Sequence, residues 1–148
     1  MSREIKFRGR RIDNGEWVYG NLLQVKYKSK TLNCIIPFVT NGSFVATGYL
    51  LKFISPCYEI DPATVGRFTG LHDKNGREIY EGDWVRCRED EWACEEDNIE
   101  DWYIAKVEYC ADRDYPAFEL NPDPGVDSNG LSYYMASGVI EVILEVQP

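Results

Sequence analysis

Ile5-Lys-Phe-Arg-Gly-Arg-Arg-Ile12, Asp13-Asn14-Gly15 and Glu16-Trp-Val-Tyr-Gly-Asn-Leu-Leu-Gln-Val25 read as one β-hairpin. Asn and Gly both tolerate positive φ, so Asn14-Gly15 predicts a two-residue type I′ turn between the strands. In that register Ile12 faces Trp17 and Arg10 faces Tyr19, while Phe7 and Leu22 fall on the opposite side. The apolar face therefore switches midway. Gly9 stands opposite Gly20 at the switch, which predicts a bulge or a sharp twist there.

Working outward, Thr31-Leu-Asn-Cys-Ile-Ile-Pro-Phe-Val39 and Phe44-Val-Ala-Thr-Gly-Tyr-Leu-Leu-Lys-Phe-Ile54 flank Asn41-Gly42 and predict a second strand pair. Pro37 has no N–H to give a ladder, so its strand is expected at an edge or to begin at the proline. Asp61-Pro62-Ala63-Thr64 carries a capping acid and a proline at the first helical position, which predicts one short helical turn. That turn divides the chain into an amino-terminal hairpin unit, residues 1–60, and a carboxy-terminal unit, residues 61–148. In the second unit, Asn75-Gly76 marks a turn, and five strand-like pieces follow from 83 onward: the one through Trp84 and Cys87, then 102–110, 117–120, 131–135 and 139–146. With little helix between them, they predict a small antiparallel barrel. The fold class expected is mainly β.

The 148 residues carry 44% apolar side chains, four Trp, ten Tyr and six Phe against seven Ala, a balance that suits pleated surfaces better than helices. No apolar run reaches the roughly 18 residues of a membrane span, and no apolar stretch follows the charged start, so neither a signal peptide nor a membrane helix is expected. Cys34, Cys57, Cys87, Cys94 and Cys110 form no C-x-x-C pair, and reduced thiols in a bacterial cytoplasm are expected. Residues 1–52 carry nine Lys/Arg against three Asp/Glu, net +6, and residues 53–148 carry seven against 22, net −15, together −9. Two ends of opposite charge fit a chain that attracts a copy of itself, with an anionic partner as the alternative.

The run Asp61-Pro-Ala-Thr-Val-Gly-Arg-Phe-Thr-Gly-Leu-His-Asp-Lys-Asn-Gly-Arg-Glu-Ile-Tyr-Glu-Gly-Asp-Trp-Val85 resembles the signature of the YopX family of phage and prophage proteins. Arg3-Glu-Ile-Lys-Phe-Arg-Gly-Arg-Arg11 and Gly15-Glu-Trp-Val-Tyr-Gly20 resemble the start of the same family. The resemblance implies an SH3-like carboxy-terminal barrel and a phage setting. It carries over no catalytic or binding residue, because the family has no established function. The chain departs from the family pattern in the length of the acidic segment 89–101 and in its last residues.

Candidate chemistry is sparse. His72 is the only histidine, beside Asp73 in a turn, and no nucleophile motif accompanies it. The eight acids within residues 89–101 lack the spacing of a calcium loop and read as a solvated loop, with mimicry of a nucleic-acid backbone as the sharper alternative. No phosphate-binding G-x-x-x-x-G-K-[ST] occurs. No enzyme activity, cofactor or metal is therefore expected. The candidate contact residues are Arg3, Lys6, Arg8, Arg10 and Arg11 on the first strand with Trp17 and Tyr19 on the second, a basic and aromatic combination that fits a subunit partner or a nucleic acid. The expected function is that of a non-enzymatic accessory protein assembling as a homo-oligomer and binding a host or phage protein. The alternatives are nucleic-acid binding through the hairpin, and acidic inhibition of a host DNA-binding protein.

Overall fold

In the computed structural model, which describes residues 4–37, 57–89, 102–111, 117–126 and 128–144, the first hairpin joins β1 (Phe7–Arg10) to β2 (Trp17–Tyr27). Its register places Arg8 opposite Tyr19 and Arg10 opposite Trp17. This is two residues away from the register that a two-residue turn would impose. The cause is a four-residue loop: Arg11 N donates to Glu16 O at 2.9 Å and Gly15 N to Arg11 O at 3.0 Å. Within the loop Gly15 has positive φ and Asn14 does not, so the turn is not type I′. Asn14 instead accepts from Glu16 N through its side chain at 3.0 Å, and the Arg11 guanidinium grips Asp13. A slip of two residues preserves side-chain parity, so the faces of the strands are unaffected.

No bulge interrupts the ladder. Gly9 pairs with Val18 and Gly20 with Phe7, and both glycines serve close approach instead. A Cβ on Gly9 would lie 2.4 Å from Ile60 Cδ1, and one on Gly20 would lie 2.0 Å from the Ile36 carbonyl oxygen.

β3 (Lys30–Pro37) returns antiparallel to β2 across Lys28 and Ser29, with Leu23 opposite Cys34 and Val25 opposite Leu32. Pro37 is its last residue, where a missing N–H is harmless. Among the described residues its other neighbour is β4 (Tyr58–Glu59), with Cys34 opposite Glu59. The strand expected over 44–54 lies outside the described residues. Asp61 caps a single 3-10 turn, Pro62–Thr64, by accepting from Ala63 N at 2.9 Å, as the sequence predicts. β5 (Gly66–His72) then pairs with β1. The order in the first unit is β4-β3-β2-β1-β5, and Ile35, Ile60 and Phe68 are buried in it.

The chain divides into compact units at Met1–Phe68 and Thr69–Pro148, within β5. In the second, β6 (Glu78–Tyr80) lies beside β5, and Thr69 Oγ1 donates to Ile79 O at 2.7 Å. β7 (Trp84–Glu89), β8 (Tyr103–Cys110), β9 (Ala117–Asn121) and β10 (Gly138–Val142) form an antiparallel sheet in the order β10-β7-β8-β9. Among the described residues the sheet is open, with β9 and β10 at opposite edges, so the expected barrel is not closed there. One of its expected strands, 131–135, is a helix: α1 (Gly130–Ser137).

The reason for the helix is distributed over the chain. Asn129 Oδ1 accepts from Ser132 N at 2.9 Å, and the buried Glu119 carboxylate accepts from Gly130 N at 2.7 Å. Both groups satisfy N–H donors that a helix start leaves open, and the carboxylate also meets the positive end of the helix. Leu131, Tyr134 and Met135 then share one helical face against Val85, Cys87, Ala105, Val107, Leu120 and Ile140. Local preference alone, with two tyrosines in five residues, favours a strand here. β10 also stops at Val142, shorter than the expected 139–146.

Candidate interaction surfaces

Alternate residues of a strand share a face, and β2 is long enough to make one of consequence. Trp17, Tyr19, Leu23 and Val25 project to the same side and remain 39%, 43%, 42% and 40% exposed. Asn21 interrupts the row. Leu32, Cys34 and Ile36 of β3, opposite Val25, Leu23 and Asn21, widen it. At about 3.3 Å per residue the stripe from Trp17 to Val25 is roughly 26 Å long, and two strands at about 4.8 Å spacing make it roughly 10 Å wide. The apolar face covers about 250 Å².

The basic strand borders this face at one end. The Arg8 guanidinium lies 4.5 Å from the Trp17 ring centroid, and Arg10 lies 5.4 Å from the same ring. Trp17, not Tyr19, is therefore the indole that receives Arg10, a consequence of the shifted register. Arg11 sits 4.0 Å from the Tyr58 ring centroid, and its hydrogen bond to Asp13 raises its own pKa and holds the Asp13 carboxyl below the usual range. Lys6 pairs with Glu4 at 3.2 Å and lies 5.4 Å from the Phe68 centroid. Arg3 lies outside the described residues, as does the acidic segment from residue 90 to 101.

Other groups singled out by sequence have structural surroundings. Asp73 does not orient His72: its carboxylate accepts from the backbone N–H of Asn75 at 2.8 Å, Arg77 at 2.9 Å and Val142 at 3.1 Å. Burial by itself would raise its pKa, but these three donors prevail and keep it below the usual carboxylate value. Burial pushes the Cys87 thiol up to about 12. It also raises Cys34 to about 11, aided by a hydrogen bond with Cys57. Asp83 holds the turn before β7 by accepting from Tyr80 N at 2.8 Å. A cavity of about 330 Å³ beside the start of α1 is lined, among the described residues, by Thr69, Leu71, Ala117, Phe118, Asn129, Leu131 and Ser132, none of them titratable in the carboxylate, imidazole or thiol range. Among the described residues no three His, Cys, Asp or Glu side chains gather as metal ligands, and no helix is long and apolar enough to cross a membrane.

The model of one family, described as YopX protein, matches residues 6–140. The chain belongs to the YopX family. The YopX match begins one residue before β1 and ends within β10, so it takes in strands of both units. No curated protein and no solved structure matches the chain.

Proposed function

We propose that this YopX-family chain is a phage or prophage accessory protein of the bacterial cytoplasm that works by docking rather than by reaction chemistry, and that its first partner is a second copy of itself. The observation that carries the reading is the roughly 26 Å stripe of Trp17, Tyr19, Leu23 and Val25, half-exposed along one face of β2. Roughly 250 Å² of apolar centre bordered by Arg8 and Arg10 supports the core of an interface of about 800 Å² per partner. Opposite charge in the two parts of the chain, net +6 for residues 1–52 and net −15 for the rest, favours copy meeting copy.

Burial weighs against nucleic acid on this hairpin: Arg8 is only 9% exposed, and Arg11 is held by Asp13. We read the second unit as an SH3-like sheet left open, with α1 where a strand would have closed it. The test is sedimentation equilibrium of the full chain between 1 and 100 µM. A dimer is expected, reduced to monomer by Tyr19→Lys with Leu23→Lys. These positions already face solvent, so the doubly substituted chain still folds. A native chain that is monomeric at 100 µM overturns the proposal.

A further inference from the structure

The outer face of the second unit's sheet carries a different combination of side chains. Trp84, Arg86 and Arg88 alternate along β7, and across from the first two stand Lys106 and Ile104 of β8. Trp102 immediately precedes β8, and three cations gather on its indole: Arg86 at 4.4 Å from the centroid, Arg88 at 4.7 Å and Lys74 at 5.8 Å. Glu141, opposite Arg86 on β10 and 7% exposed, is the carboxylate that holds Arg86 and Lys74 in place. The cationic heads still reach solvent, since the side chains of Arg86, Lys74 and Lys106 are 45%, 43% and 41% exposed. Ile104, in the middle of the face, is 52% exposed.

From this arrangement we infer that the outer face of β7 and β8 binds single-stranded nucleic acid. A single strand offers phosphates to neutralise and unpaired bases to stack, and the surfaces that take it combine cations with aromatic planes. Both are present with suitable spacing. The exposed Trp84 indole and the guanidinium-covered Trp102 indole lie four residues apart in register, roughly 13 Å along the strands, with Arg86 between them. The Arg86 and Arg88 guanidiniums, 4.4 and 4.7 Å from the Trp102 centroid, supply the cationic groups that meet phosphates. The site is independent of the docking face on the first unit.

Fluorescence anisotropy of a labelled 12-nucleotide oligo(dT), titrated with the full chain, tests the inference. Two guanidiniums meeting two phosphates give a log-log salt slope of about −1.4, so the dissociation constant rises about 7-fold from 50 to 200 mM KCl. Ile104→Glu sets an anion at the centre of the face without touching the core and weakens binding at least 10-fold. Lys106→Glu, at the rim, does so less. Absence of binding at 50 mM salt overturns the inference. So does binding that survives Ile104→Glu and disappears in Arg8→Ala with Arg10→Ala, which would move the site to the first hairpin. Equal binding of a labelled oligoglutamate overturns it as well, in favour of an acidic protein partner.

Discussion

Replacing Asp73 by Asn tests how a buried carboxylate holds the second unit together. One carboxylate oxygen accepts from Asn75 N and Arg77 N, and the other from Val142 N, 69 residues away. Asn keeps one acceptor. Used for the local turn, it turns an NH₂ group toward the Val142 N–H and sets donor against donor. The lost charge-assisted bond accounts for about 2 kcal/mol, and the two retained bonds weaken by about 0.5 kcal/mol each as the acceptor loses its charge. The expected destabilisation at pH 7 is thus about 3 kcal/mol, or about 9 °C in melting temperature for a chain of this size. Because the folded pKa of Asp73 lies below its ordinary value, its stabilisation is complete above the usual carboxylate range. It is lost as pH falls through the depressed folded pKa. Urea unfolding followed by Trp fluorescence at pH 7 and at pH 3 measures both effects, and the gap between Asp73→Asn and the native chain narrows at the lower pH. A gap under about 0.5 kcal/mol at pH 7, well short of what one charge-assisted bond accounts for, refutes the reasoning, and so does a gap that does not change with pH.

Two further outcomes follow from close packing and burial. Gly20→Ala places a methyl group 2.0 Å from the Ile36 carbonyl oxygen and costs more than about 3 kcal/mol, since backbone must move to admit it. Gly76→Ala, at positive φ with nothing within 4 Å, costs only the strain of about 1 kcal/mol. Urea midpoints of the two chains separate these effects. In timed alkylation with iodoacetamide at pH 8, read by peptide mass, the exposed Cys57 is modified first of the four cysteines among the described residues. Cys87, its thiol raised to about 12, is modified only on unfolding, and Cys34, raised to about 11, lags well behind Cys57.

The mainly β class, the position of the first hairpin and the Asp61 cap were legible in the sequence, because each depends on residues a few positions apart. Alternation along Trp17, Tyr19, Leu23 and Val25 follows from the pleat alone, and a two-residue slip in the hairpin left it intact. The register itself was not legible, since it depends on how the hairpin's end at Arg11 meets Ile60, 49 positions away. The helix over 130–137 was hidden for a related reason. Asn129 was a local signal available at its start, but the carboxylate that completes the cap comes from Glu119, on another element.

Tertiary structure alone decided which charges act together. Trp102 stands 14 positions from Arg88 and 28 from Lys74 along the chain, with a run of acids in between, so sequence gave a basic hairpin and an acidic segment as the electrostatic features. Pairing β7 with β8 and β10 brings Lys74, Arg86, Arg88, Trp102 and Glu141 onto one face. Strand identity follows from short-range pattern and steric preference. Which strands become neighbours follows from burying Val85, Cys87, Ala105, Val107 and Ile140 in one core, a condition on the whole second unit that no short stretch of it expresses.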